Sequence, residues 1–251
     1  MRLKDRVAIV TGGGSSIGLA IAQRLTADGA SMVIADIAGA EEAAKRLENS
    51  GHSALGVTTD VSSERDVQQM VEKTIARFGR VDILVNNAAV SKTLKMTPFE
   101  QLTVAEWRRI LDVNTIGTFL CCRGVSSHMR AQKYGRIINI ASGTAFKGAP
   151  FLMHYVASKG AIISMTRSLA RELGTDNITV NAIAPGYILS TGNFENPEFM
   201  EAQRQAAIAS RALPRDGIEA DLVGSVAFLA SDDSAFISGQ ILAVDGGSVY
   251  H

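Results

Sequence analysis

The chain has 251 residues, 46% of them apolar and 20% charged, a composition that fits a globular protein and excludes disordered, collagen-like and coiled-coil classes. Lys plus Arg and Asp plus Glu are both 25, so the formal net charge is zero and no basic stretch is available to track nucleic acid or an anionic membrane. The longest apolar runs, such as Val7 to Val10 and Val226 to Ala230, fall well short of the ~20 residues of a spanning helix or the ~7 of a secretory signal core, so a cytoplasmic protein is expected.

In chain order, Val7 to Val10 predicts a first strand and Ile17 to Ala27 a helix behind it, followed by a strand at Met32 to Ala35 and a helix at Glu41 to Ser50. The alternation continues with a strand at Ala54 to Thr58, a helix at Glu64 to Phe78 stopped by Gly79, and a strand at Ile83 to Asn86. A long helix is predicted from Thr103 to Met129, opened by the capping box Thr103-x-x-Glu106. Strands at Arg136 to Ile140, Thr179 to Ala184 and Ile241 to Val244, with a helix from Tyr155 to Gly174, complete the pattern. Repeated βαβ units predict an α/β fold, a doubly wound seven-stranded parallel sheet with helices on both faces and strands apolar on both sides. No linker or repeat interrupts it, so residues 1–251 are expected to form a single domain. Cys121 and Cys122 sit adjacent in an apolar helical pattern and are expected as buried, reduced thiols. Gly186 to about Pro197 is the longest stretch without a pattern, which points to a functional loop, and about 186–210 is expected as a substrate lid.

Thr11-Gly12-Gly13-Gly14-Ser15-Ser16-Ile17-Gly18 joins the first strand to the first helix. Glycines there let backbone approach a pyrophosphate, and the helix N-terminus supplies amide donors and partial positive charge. The loop resembles the Thr-Gly-x-x-x-Gly-x-Gly loop of the short-chain dehydrogenase/reductase family, with Ser16 where that pattern has its middle glycine. Asp36 closes the second strand, 18 positions after Gly18, where a carboxylate accepts from adenosine ribose hydroxyls and repels a 2′-phosphate. No Lys or Arg lies in residues 13–17 or 37–40 to pair with such a phosphate, so NAD is expected over NADP.

Tyr155 and Lys159 are four apart in a helical run, hence on one face, with Ser142 13 residues before Tyr155 at a strand end and Asn114 upstream. These four match the catalytic tetrad of the same family, and Pro185-Gly186 and Val244-Asp245-Gly246-Gly247 fit it too, so the resemblance covers essentially the whole chain. It implies a Rossmann-type fold and an oxidoreductase interconverting an alcohol and a carbonyl compound. A free phenol titrates near 10, and a cation within about 4 to 6 Å shifts a group by about 1 to 3 units, so Lys159 and the positive nicotinamide are together expected to lower Tyr155 toward a working base. Ser142 would hold the substrate oxygen. The resemblance further implies a water-holding role for Asn114, contact of Lys159 with the nicotinamide ribose, Asp60 and Val61 at the adenine, and Asn87 and Ala88 beside the second ribose. Gly12, Ser15, Ser16, Ile17, Gly18 and Asp36, with Pro185, Gly186 and Ile188, complete the expected cofactor residues, and no metal is needed. Ala89 departs from the family's usual glycine.

The expected substrate wall includes Thr144, Leu152, Tyr187 and Phe194, an apolar and aromatic set that suits a ring. The chain end resembles that of bacterial catabolic dehydrogenases of aryl secondary alcohols or pyridoxal. A small neutral ring-bearing secondary alcohol is therefore expected, with Lys92 and Lys147 the signal for an acidic substrate instead. A 3-oxoacyl carrier-protein reductase and a non-catalytic NAD-binding regulator are the alternatives. His154 is expected to be structural or to line the pocket, Trp107 to be core or subunit contact, and the protein, like much of the family, to be a homotetramer.

Overall fold

The computed structural model describes residues 2–91, 93–189 and 197–250. Seven strands, β1 (Val7–Thr11), β2 (Ser31–Asp36), β3 (Ala54–Thr58), β4 (Ile83–Asn86), β5 (Gly135–Ile140), β6 (Ile178–Pro185) and β7 (Ile241–Val244), form one parallel sheet in the order β3-β2-β1-β4-β5-β6-β7. This is the predicted Rossmann-type architecture, and each strand lies within a residue of its predicted bounds. Alternate strand residues point to opposite faces. Ala8, Val10, Ile34 and Val85 pack against α1 (Ser16–Ala27), α2 (Ala40–Asn49) and α9 (Glu219–Ala230). Ile9, Val33, Leu84 and Ile137 pack against α3 (Glu64–Phe78) and α5 (Gly117–Ala131). Cys121 and Cys122 lie in that second layer as free buried thiols, and burial raises Cys122 to about 12.

The strands are not apolar throughout, contrary to expectation. Asn86, Arg136, Asn139 and Asn181 are all buried in them. Each of these side chains makes at least one hydrogen bond that no local sequence pattern announces, which offsets the cost of its burial, although Asn86 Oδ1 is left without a partner among the described residues. Asn86 Nδ2 donates to Asn139 Oδ1 at 2.9 Å, Asn139 Nδ2 to Thr166 Oγ1 at 2.9 Å, and Asn181 Nδ2 to the Ile237 carbonyl at 2.8 Å. The Arg136 guanidinium stacks 4.3 Å from the centre of the Tyr134 ring and reaches Asp232 at 3.0 Å.

The predicted helix from Thr103 is interrupted. Thr103 and Glu106 make the expected capping box, and α4 (Val104–Leu111) follows, but Asp112–Ile116 widens into a π-helical turn before α5 begins. Such turns insert one residue and re-aim the side chains around it. Three helices escaped prediction: α9, the single turn α6 (Thr144–Lys147), and α8 (Pro197–Ala209) within the expected lid. α9 carries apolar residues around most of its circumference, so its amphipathic signal is weak. Among the described residues no helix is long and apolar enough to cross a membrane.

Candidate active site

The strand order reverses between β1 and β4, and the candidate site lies beyond the carboxyl ends of the strands at that point, where α/β sheets open a crevice. The loop leaving β1 enters α1 with Gly12 at φ +62° and a further left-handed residue at Ser16, φ +51°. Ser16 thus adopts the backbone that the family's glycine supplies freely, at a cost of roughly 1 kcal/mol. Two glycines are demanded by close approach. A Cβ on Gly12 would stand 2.8 Å from the Ala88 Cα, and one on Gly18 only 2.0 Å from the Gly12 carbonyl oxygen. Thr11 and Asn87 lock these ends together: Thr11 Oγ1 accepts from the Asn87 and Ala88 amides, both at 3.1 Å, and Asn87 Nδ2 donates to the Thr11 and Gly12 carbonyls at 3.1 and 3.0 Å. Ala89 does not need left-handed backbone, so the departure from glycine there is accommodated.

Ser15 is the N-cap of α1 yet makes no side-chain capping bond, so the first-turn amides of Ser16, Ile17 and Gly18 have no cap from the chain itself. This is the arrangement of a helix terminus that receives a phosphate. Asp36, half-buried at the end of β2, accepts from the Gly14 amide at 2.9 Å through Oδ2 and from the Ala38 amide at 3.2 Å through Oδ1. Held from both sides, it keeps lone pairs for a ribose diol. These residues fit an adenine dinucleotide. Asp60, expected at the adenine, is exposed, with Oδ1 capping Ser62, and the Val61 side chain is buried where a Cβ on Gly117 would come within 2.7 Å of it.

Ser142, Tyr155, Lys159 and Asn114 come together from three different segments. Ser142 follows β5; its hydroxyl lies near enough to the Tyr155 phenol to act on its ionisation, and it accepts from Thr144 Oγ1 at 3.0 Å. Tyr155 and Lys159 lie on α7 (Met153–Leu173), with Lys159 Nζ 5.8 Å from the centre of the Tyr155 ring and donating to the Ile140 carbonyl at 2.7 Å. Asn114 occupies the π-helical turn, where Oδ1 accepts from the Val90 amide at 2.8 Å and Nδ2 donates to Ser158 Oγ at 3.1 Å. Ser158 in turn donates to the Tyr155 carbonyl at 2.7 Å, so it couples Asn114 to the helix that carries the phenol. Sequence reasoning missed Ser158, although its position three residues after Tyr155 was the available signal. His154 is buried and packs on Trp107, with ring centres 6.2 Å apart, on another face of α7, which agrees with a structural role.

In the chain alone, burial raises the Tyr155 phenol above its ordinary value, and the Ser142 hydroxyl only partly opposes it. The Lys159 ammonium, bonded to Ile140, is itself buried. That burial depresses Lys159 to about 8.

Pro185 and Gly186 end β6, and Gly186 donates to the Val244 carbonyl at 3.1 Å. Ile188 pairs with Gly217, the Leu189 amide bonds the Gly217 carbonyl at 2.8 Å, and the half-buried Tyr187 gives its carbonyl to Arg211. Arg211, buried and absent from the sequence reading, also donates to the Arg215 carbonyl at 2.7 Å. Of the residues expected in the substrate wall, Thr144 bonds to Ser142 and Leu152 precedes α7, whereas Phe194 lies outside the described residues, as does Lys92.

The Lys159 environment has a consequence for stability. Below about 8 its ammonium is charged in both folded and unfolded chains, and the folded state bears the cost of burying it; as pH rises from about 8 toward 10.5 that cost is relieved. Lys159→Met should therefore exceed wild type in unfolding free energy by about 1–3 kcal/mol at pH 7, with the gap closing at alkaline pH. Urea denaturation at several pH values checks this, and a gap that is absent or independent of pH would count against it.

Comparison with known proteins agrees with this arrangement. A family model described as enoyl-(acyl carrier protein) reductase matches residues 12–249. The BbsD subunit of a hydroxy(phenyl)methyl-succinyl-CoA dehydrogenase from Thauera aromatica is 40% identical over 249 residues, 98% of each chain. A cis-4-hydroxycyclohexanecarboxylate dehydrogenase from Sinomonas cyclohexanicum is 40% identical over 247 residues, 97% of this chain and 96% of its own. A 3-oxoacyl carrier-protein reductase from Staphylococcus epidermidis is 36% identical over 248 residues, 97% of this chain and 98% of its own. With the sheet, the dinucleotide loop and the Ser142, Tyr155 and Lys159 cluster in place, the chain belongs to the short-chain dehydrogenase/reductase family of nicotinamide-dependent oxidoreductases.

Proposed function

We propose that this protein is an NAD-linked dehydrogenase, a single catalytic domain that interconverts a small ring-bearing secondary alcohol and its ketone. The observation that carries the reading is the Tyr155 phenol beside the Ser142 hydroxyl, with Lys159 on the same helix and a glycine loop suited to a dinucleotide. Ser142 donates to the substrate oxygen and Tyr155 takes its proton on oxidation. Lys159, seated on the Ile140 carbonyl, is placed to bind the nicotinamide ribose, and Asn114 holds the far side of α7 in register through Ser158. When bound, the oxidised nicotinamide supplies the hydride acceptor and a positive charge that lowers the buried phenol. The ring preference is supported by the names of the two relatives at 40% identity, one acting on a phenyl-bearing and one on a cyclohexane-bearing substrate.

A second reading, 3-oxoacyl carrier-protein reduction, is favoured by the 36% identical reductase. The two readings part at Asp36, whose carboxylate beside Gly14 repels a 2′-phosphate. Wild type should show kcat/KM for NAD at least about 10-fold above that for NADP, and Asp36→Ala should narrow the ratio. A wild-type preference for NADP would reject this reading of Asp36. Tyr155→Phe keeps the ring and removes the proton acceptor. Oxidation followed at 340 nm should fall by about 100-fold or more while calorimetry still detects NAD binding; retained turnover would remove Tyr155 from the mechanism.

We further propose a homotetramer. Ile116 and Phe119 near the start of α5 and Phe236 and Leu242 near β7 leave large apolar side chains exposed in two separate regions, and Ala157 and Ser168 give α7 an exposed small-residue stripe. Two distinct self-complementary faces are what 222 symmetry requires. Multi-angle light scattering at micromolar concentration should give four times the chain mass, and a monomer would refute it.

A further inference from the structure

Arg211 has a place beside the candidate site that the chemistry above does not use. It is 9% exposed, so its guanidinium is taken almost wholly out of water. Asp216 and Asp221, in the segment that follows, are paired with Arg204 at 2.6 Å and with Arg215 at 2.7 Å, and among the described residues no carboxylate lies within ion-pair distance of Arg211. Its donors go to backbone instead, Nη1 to the Arg215 carbonyl at 2.7 Å and Nη2 to the Tyr187 carbonyl. A planar fork holds two carbonyls at once, which the single point of an ammonium does not. The stem is packed as closely as the head, since a Cβ on Gly246 would stand 3.1 Å from Arg211 Cδ. Arg211 therefore cross-links the end of β6, the 211–217 segment and the tail after β7.

The sheet order decides what this junction faces. Asp36 lies at the end of β2 and Ser142 just past β5, so a dinucleotide reaching from one to the other crosses β1 and β4 and brings its nicotinamide half to the ends of β5 and β6. The pairing of β5 with β6 continues past Ser142, with the Gly143 amide on the Pro185 carbonyl at 2.9 Å. Gly186 comes next and is gripped from two sides: a Cβ there would stand 2.7 Å from Asp245 Cβ and 3.4 Å from Arg211 Nη2. The Gly186 amide is tied to Val244 and the Leu189 amide to Gly217, and the bond from Arg211 to the Tyr187 carbonyl fixes the chain between them.

We propose that Arg211 is a positioning residue for the nicotinamide half of the cofactor: by holding the Tyr187 carbonyl it sets the Gly186 to Ile188 backbone that borders that half. A wall fixed in advance needs no ordering when the ligand arrives, so the bond contributes to affinity without contact with the reacting atoms. Its loss is felt at the nicotinamide end and not at the adenosine end, which the glycine loop and Asp36 hold on β1 and β2. The inference rests on the reading of that loop, Asp36 and Ser142 as a dinucleotide site, and it deepens that reading.

The test is calorimetry on the full-length protein as wild type, Arg211→Met, Arg211→Lys and Gly217→Ala, each titrated with NAD and with ADP-ribose, which keeps both riboses and both phosphates but lacks the nicotinamide ring. Arg211→Met should bind NAD about 10-fold more weakly while its ADP-ribose binding changes by less than about twofold. Arg211→Lys keeps the charge but not the fork and should fall between that variant and wild type. Gly217→Ala presses on the same junction without altering Arg211, since its methyl would stand 3.2 Å from the Tyr187 carbonyl oxygen and 3.0 Å from Ile188 Cδ1. It should repeat the pattern, and it decides the matter if Arg211→Met does not fold. A purely structural role would lower the urea midpoint and weaken both ligands alike. Unchanged NAD binding in the folded variants, or equal weakening of NAD and ADP-ribose, would overturn the proposal while leaving the dinucleotide reading in place. Wild type that binds neither ligand would reject that reading, and the proposal with it.

Discussion

The join between the ends of β1 and β4 is the constraint on which the rest of the candidate site depends. Where the strand order reverses, two adjacent strands send their chains to opposite sides, and without cross-links their ends would splay. Thr11 Oγ1 and Asn87 Nδ2 hold them together with four hydrogen bonds of 3.0–3.1 Å. That closeness leaves no volume for side chains at Gly12 or Gly18, and it brings the start of α1 against β4. The phosphate-binding geometry is thus a consequence of sheet topology, with Ser16 carrying a left-handed backbone to complete it.

A second tension lies in α7. The helix brings an ammonium and a phenol out of water together, and both resist ionisation there: Lys159 is depressed to about 8 and Tyr155 is raised. Such burial persists because Lys159 is hydrogen-bonded to Ile140, and because α7 is pinned from its other side by Asn114 through Ser158. The π-helical turn at Asp112–Ile116 is part of the same device, since it puts Asn114 within reach of both Val90 and Ser158. Activity on this reading draws on an arrangement that costs stability.

Substrate contact is assigned to segments of a different kind. The described part of the lid is held by Ile188 pairing with Gly217 and by Arg211 bonding the carbonyls of Tyr187 and Arg215, and the tail after β7 packs on both Gly143 and the 212–213 backbone. On the proposed reading, substrate contact falls to such loops while the chemistry lies on a strand end and a long helix, the usual division between variable loops and a rigid scaffold.

The sequence by itself determined the element order, the parallel sheet and the four-residue spacing of Tyr155 and Lys159, because hydrophobic periodicity and helical pitch act over a few residues. It also determined the glycine loop and Asp36, whose chemistry is local to one βαβ unit. It did not reveal α9, whose apolar surface runs around most of the helix, nor the π-helical turn inside an otherwise continuous helical pattern. Nor did it reveal the buried polar strand residues, whose partners lie far along the chain, as Asn86 and Asn139 do, 53 residues apart. Tertiary structure alone decided the burial that raises Tyr155 and the carbonyl that holds the Lys159 ammonium, since four-residue spacing says only that the two share a face. It alone brought Lys147 to Ser210 and Ser248, 63 and 101 residues away. Local patterning specifies which face a side chain occupies; charge, burial and partner are set by whatever the rest of the fold carries to that face.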